Sequence, residues 1–198
     1  WIKEIEEKLK EDNGSGVYYL EGFPFIITGE VSLMYSQDGK GRRVHLLLLV
    51  PNLDVAKKIN LWLDTKGRRD YDGRPIFKIS CRDFTAKMEE IDDKIEVIPA
   101  HVWTPWFGVF GSKSGFDSLE QAFLDKVNRI HAIETGISSD PEMNWRIKEL
   151  NDLALVSFSD SHSFWPWRIG REATIFILKP EEKLSYDLII KQIRENSF

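Results

Sequence analysis

Apolar residues recur along this chain in two rhythms. Short runs rich in β-branched and aromatic residues at 17–20, 25–31 and 44–50 predict strands. The longest apolar run, 44–51, is broken by His45 and reads as a buried strand. Residues 1–11 are charged and helix-forming, and the turn cluster Asn13-Gly14-Ser15-Gly16 ends that helix. Residues 53–64 predict a second helix, opened by Asn52 or Asp54. A polar, basic loop with two glycines follows at 66–75, then a helix at 81–92 and a strand at 95–100. Asp117 and Glu120 have capping-box spacing, with Leu119, Phe123, Val127 and Ile130 on one helical face beyond them. A strand at 130–134 precedes Asp140-Pro141, an N-cap followed by proline at the first helical position. Strands at 153–158 and 173–178 and a helix at 184–196 complete the series.

Strand and helix alternate at a spacing that predicts parallel βα units. Continuously apolar strands fit a sheet covered on both faces. No Gly-x-Gly-x-x-Gly fingerprint or P-loop follows any strand, which disfavours a dinucleotide-binding fold and favours a barrel. The 198 residues suffice for one domain with a sizeable core and are short for two.

Composition narrows the setting. With 42% hydrophobic and 30% charged residues, the chain is ordinary for a globular protein. No apolar run approaches the roughly 20 residues needed to cross a bilayer, and no signal peptide or lipidation motif is visible. The single cysteine, Cys81, excludes an intramolecular disulfide and fits a reducing cytoplasm. A net charge of -5 rules out a globally basic nucleic-acid binder. Basic residues nevertheless gather at Lys40, Arg42 and Arg43, and again at Lys66, Arg68, Arg69 and Arg74. These could equally be solvated loop charges.

Candidate chemistry falls near strand ends. Glu30 follows Phe25-Ile26-Ile27-Thr28-Gly29, His45 lies within a strand, and His101 follows the strand at 95–100. Glu134 ends the strand at 130–134, and Asp160 and His162 follow the strand at 153–158. In a barrel of parallel strands those ends converge on one mouth. Imidazoles and carboxylates gathered there suit zinc, manganese or iron. Each residue has a plainer reading: Glu30 as a turn carboxylate, His45 as a core histidine, His101 as packing, Asp160-Ser161-His162 as an Asx-turn loop. Their common placement favours a metal site. His131 fits no such motif and reads as structural.

The segments Phe25 to Glu30, His45, Pro99-Ala100-His101 and Ser159-Asp160-Ser161-His162 resemble successive motifs of the PHP phosphoesterase family. Within it, Pro99 to Gly108, Ala132-Ile133-Glu134-Thr135-Gly136 and Phe158 to Trp167 resemble endonuclease Q. The resemblance covers essentially the whole chain. It implies a distorted (β/α)7 TIM-like barrel with a metal cluster at its mouth. It also implies an endonuclease that cuts the phosphodiester 5′ of uracil, hypoxanthine, xanthine or an abasic site. Carried over by motif, Glu30, His45, His101, Asp160 and His162 are implied metal ligands, with Glu134 at a further motif position. Glu30, His101, Asp160 and His162 would form the catalytic set. Zinc is the expected ion, two or three per complete protein, with manganese or magnesium as alternatives. Damaged DNA is the implied partner, and a DNA sliding clamp a candidate one.

Substrate contacts are expected from two aromatic loops, each directly after an implied ligand. Trp103, Trp106, Phe107 and Gly108 follow His101; Trp165, Trp167 and Arg168 follow His162. Together they could wall a flipped base, while Arg42, Arg43, Arg68, Arg69 and Arg74 are candidates for phosphate contacts. The family opens with a His-x-His strand that this sequence does not contain. Residues 1–198 are therefore expected to be a single PHP-type domain fragment, incomplete at its first strand and lacking the family's C-terminal zinc-binding region. Such a fragment could lack activity that its parent has. A small-monoester phosphatase and a non-catalytic binding module remain the alternative functions.

Overall fold

The structure is a computed structural model describing residues 2–70 and 75–198. Arg74, one of the expected phosphate contacts, lies outside the described residues. In chain order the elements are α1 (Ile2–Lys8), β1 (Lys10–Glu11), β2 (Tyr18–Leu20), β3 (Phe23–Phe25), β4 (Ile27–Gln37), β5 (Lys40–Val50), α2 (Leu53–Asp64) and β6 (Ile76–Phe77). They continue with α3 (Cys81–Ile91), β7 (Glu96–Pro99), α4 (Leu119–Phe123), β8 (Ala132–Glu134), α5 (Pro141–Asn144), β9 (Ala154–Val156) and α6 (Tyr186–Glu195). Among the described residues the strands form three separate sheets and no closed barrel: β1-β2-β3, β6-β4-β5-β7 and β8-β9.

The expected parallel pattern holds only in part. β4–β6 and β8–β9 are parallel, but β4–β5 and β5–β7 are antiparallel. β4 and β5 form one long hairpin, in register from Ile27↔Val50 to Gln37↔Lys40. Its turn is Asp38-Gly39, both at positive φ (53° and 72°), the conformation a two-residue hairpin loop requires. The basic residues at 40–43 therefore belong to a strand rather than a loop. The first helix is shorter than expected, because Lys10 and Glu11 pair with β2 instead.

Helices follow their caps closely. Asn52, Ser80 and Asp140 each accept a bond from the backbone N–H three residues on, opening α2, α3 and α5. For α4 the N-cap is Ser118, one residue after the expected Asp117. That helix is cut at Phe123, where Leu124 takes φ 51° and the chain tightens into a 3₁₀ segment through Arg129. The strand expected at 173–178 is not formed. Thr174 Oγ1 accepts from Ser157 N–H (2.9 Å) and donates to the Ser157 carbonyl (3.1 Å), so a side chain does the pairing.

Two apolar cores back these sheets. One packs β4 and β5 against α2 and α3 through Val31, Leu46, Leu48, Ile59, Phe84 and Met88. The other sets α6 against β7, β8 and β9 through Ile98, Ala132, Val156, Tyr186 and Ile193. The Tyr186 hydroxyl lies 2.8 Å from both the Leu49 and Lys94 carbonyls, tying the second core to the end of β5. At 1% exposure, Glu96 is matched by His131 Nδ1 at 2.6 Å and Arg194 Nε at 2.9 Å.

Candidate metal centre

The hairpin register brings the site together. Glu30 opposes Leu47 and Ser32 opposes His45, so Glu30 and His45 share one face of the β4–β5 pair on a diagonal. β7 extends this arrangement: Ala100 N–H donates to the His45 carbonyl, placing His101 just past the strand end beside His45. His45 Nδ1 lies 3.0 Å from Glu30 Oε1 and 3.0 Å from His101 Nε2, and His101 Nε2 lies 3.6 Å from Glu30 Oε1. The two histidine side chains are 8% and 9% exposed.

These separations suit one ion. Tetrahedral zinc with bonds of about 2.0–2.1 Å sets its ligand atoms about 3.3 Å apart, and the three donor atoms here lie within 4.8 Å of one another. Two histidines and one carboxylate form the donor set of catalytic zinc and of several other divalent ions. The tautomer also fits. Thr104 Oγ1 has one proton, and the His101 and Trp106 carbonyls compete for it at 2.9 and 3.0 Å. His101 Nδ1, 2.8 Å from the same oxygen, must therefore donate to it, which leaves a lone pair on Nε2 facing Glu30. Burial works against a charged His101. The bond and charge of Glu30, with the charge of Asp160, outweigh that effect and raise its pKa above the usual histidine value.

The remaining expected ligands divide. Asp160 comes near enough for its charge to act on His101, and its backbone is at φ 43°. His162 is largely exposed, its Nδ1 2.9 Å from the Asp160 carbonyl. Neither joins the compact group of Glu30, His45 and His101 among the described residues. Glu134 sits beside that group, but its oxygens face backbone: His101 N–H at 2.6 Å, Gly136 N–H at 2.9 Å and Phe158 N–H at 3.1 Å. His131 stands apart, bound to Glu96.

The aromatic loop after His101 packs onto the site. Phe107, at φ 65°, places its ring 4.3 Å from that of His45, and its carbonyl accepts from His45 N–H. Gly108 has no room for a side chain, since a Cβ would lie 2.6 Å from the Val102 and Thr104 carbonyls. Trp103 turns inward, donating to Asn144 at 2.8 Å and packing on Phe110. Trp106 is half-exposed under the Arg43 guanidinium, 4.9 Å from its centroid. Arg42 is buried over Phe116 with an N–H to the Gly115 carbonyl, while Arg68 and Arg69 make two-pronged ion pairs with Asp70 and Asp64. In the second loop, Phe164, Trp165 and Trp167 form a continuous ladder, with centroids 5.3 and 5.1 Å apart. Phe164 and Trp167 are 80% and 66% exposed, and Arg168 is exposed beside them.

Sequence reasoning does not reach Thr104 or the Phe107–His45 contact. Both depend on the turn at His101 (φ 31°), and no spacing rule flags a left-handed histidine.

No protein-family model matches the chain. It is 26% identical over 195 residues to the uncharacterized protein YqxK of Bacillus subtilis, covering 96% of this chain and 48% of that protein. It is 34% identical over 110 residues to the uncharacterized protein MJ0043 of Methanocaldococcus jannaschii, covering 54% of this chain and 12% of that one. Among solved structures it matches the lesion-specific endonuclease PfuEndoQ from Pyrococcus furiosus, with a TM-score of 0.82 and 28% identity over 98% of this chain and 44% of that one. A second match is endonuclease Q in complex with a 27-mer duplex bearing an abasic lesion at the active site, with a TM-score of 0.81 and 29% identity over 98% of this chain and 45% of that one. The chain thus resembles part of endonuclease Q and spans less than half the length of these relatives. Among the described residues, no helix is long and apolar enough to cross a membrane.

Proposed function

We propose that this chain, which resembles part of endonuclease Q, is the portion of a lesion-directed DNA endonuclease that supplies one wall of its metal centre. The observation that carries the reading is the convergence of Glu30, His45 and His101 within 4.8 Å, in a chain that follows a lesion endonuclease over 98% of its length. Glu30, His45 and His101 would hold the ion. Asp160 and His162, on the next loop, are the nearest candidates for a second ion or for the phosphate. Within a longer chain these sheets would form one side of the barrel expected of PHP proteins.

A bound divalent ion supplies a nucleophile at neutral pH and neutralises charge on the phosphoryl oxygens. The chain's own residues do the rest. Glu30 offsets ionic charge, the His101–Thr104 bond commits Nδ1 to Thr104 and leaves Nε2 as the nitrogen that would meet the ion, and Phe107 excludes water from one face of His45. The exposed ladder Phe164-Trp165-Trp167 offers flat apolar surface on which unstacked bases can lie. Arg43, half-buried over Trp106, and the exposed Arg168 are cations beside the two aromatic loops, available to phosphates.

The test uses the 198-residue chain and the complete product of the reading frame that encodes it. Each is incubated with duplexes carrying uracil, hypoxanthine, an abasic site or no lesion, and with a small phosphate monoester, with and without zinc, manganese or magnesium. Metal-dependent nicking 5′ of the lesion by the complete product is the expected result. Hydrolysis of the monoester without nicking would replace this reading with a small-molecule phosphatase, and metal-independent DNA retention without hydrolysis would leave a binding module.

A further inference from the structure

Glu134 is a carboxylate at 2% exposure whose partners are unusual for its charge. Oε1 accepts from Gly136 N–H (2.9 Å) and Phe158 N–H (3.1 Å), and Oε2 accepts from His101 N–H (2.6 Å). A carboxylate has about four lone-pair directions, so three are filled by backbone. The three amides lie just past the ends of β7, β8 and β9, the loops from which His101 and Asp160 emerge.

His101 needs such a hold. Its φ of 31° is a conformation that a residue with a side chain rarely adopts. Gly136 closes on it from the other side: at φ 56°, a Cβ there would stand 2.7 Å from His101 Cβ. The short bond from His101 N–H and this close approach together fix the direction of the His101 Cα–Cβ bond. Burial raises the Glu134 pKa, while the amides of His101, Phe158 and Gly136 pull it back.

We infer that Glu134 is a positioning residue: its carboxylate clamps the backbone of His101, Gly136 and Phe158 so that His101 Nε2 converges with Glu30 and His45, and it does not itself bind the ion. This rests on the metal-centre reading above. Glu134→Gln keeps the shape but presents an NH₂ group to at least one backbone donor, so it cannot satisfy all three.

The test is cobalt titration of the full chain, followed by visible absorption, for wild type, E134Q and H101A. E134Q is expected to bind cobalt about 10- to 100-fold more weakly, with the stoichiometry and band shape of wild type. H101A is expected to lose the wild-type band shape. Wild-type affinity in E134Q would overturn the inference, as would an E134Q spectrum altered in the way H101A alters it, which marks a lost ligand. If wild type takes up no cobalt, the metal-centre reading falls and the positioning role falls with it. A second measurement needs no variant. The His101 amide proton of wild type should resonate far downfield and stay there when zinc is added. An upfield move on zinc binding would show the carboxylate leaving the backbone for the ion, contradicting the inference.

Discussion

Thr104 decides which nitrogen of His101 carries a proton, and that choice controls whether the imidazole can be a ligand at Nε2. Replacing it with valine removes the acceptor for Nδ1–H and leaves a polar ring atom against a methyl group. Thr104→Val should weaken zinc binding about tenfold, read by competition with a chromogenic chelator, while the fold persists. Protons should compete at the same place. Because the charges of Glu30 and Asp160 raise the His101 pKa despite its burial, the metal-free site holds a proton more firmly than an ordinary histidine, of pKa about 6.5. Zinc occupancy should therefore start to fall at a pH above that value as the solution is acidified, measurable by titration at fixed free zinc. For the metal-free fold the sign is opposite: the Glu30–His101 attraction stabilises it below the ordinary histidine value and is lost as pH rises through the raised one.

Elements that announce themselves by their caps are legible in the sequence, and those set by a turn are less so. Asn52 and Asp140 mark α2 and α5 where the structure puts them, whereas the Ser80 cap of α3 is seen only in the structure. The long hairpin is harder to read. Ser32, Ser36 and Gln37 interrupt the apolar run, and the basic residues at 40–43 suggest a loop. Asp38-Gly39 is the signal that joins the two strands, since both residues must take positive φ. Gly39→Ala should cost about 1 kcal/mol of stability, seen as a lower denaturation midpoint with unchanged slope. The same hairpin explains why the candidate residues were legible but their geometry was not. Glu30 and His45 stand out by type and place, whereas their shared face follows only from the register Ser32↔His45. The strand expected at 173–178 does not form; there the Thr174 side chain, not a backbone ladder, bonds to Ser157.

Across the whole molecule, a net charge of -5 sets a background against which a DNA-facing surface must be local. The arginines of the described residues divide accordingly. Arg42, Arg68 and Arg69 are engaged within the protein, whereas Arg43 lies over the half-exposed Trp106 and Arg168 beside an exposed aromatic ladder. If stacking rather than charge dominates contact with unpaired bases, Trp165→Ala with Trp167→Ala should weaken binding to an abasic duplex by about tenfold or more. Zinc content should not change, because neither side chain belongs to the triad. Equal loss of both properties would mean that the loop supports the site rather than the substrate. The claim beneath all of these is that one ion sits among Glu30, His45 and His101. Crystals of the chain soaked in zinc, with anomalous differences collected across the zinc absorption edge, test it directly. The expected result is a peak bounded by Glu30 Oε1, His45 Nδ1 and His101 Nε2. A map with zinc bound elsewhere and none between these three atoms would contradict it.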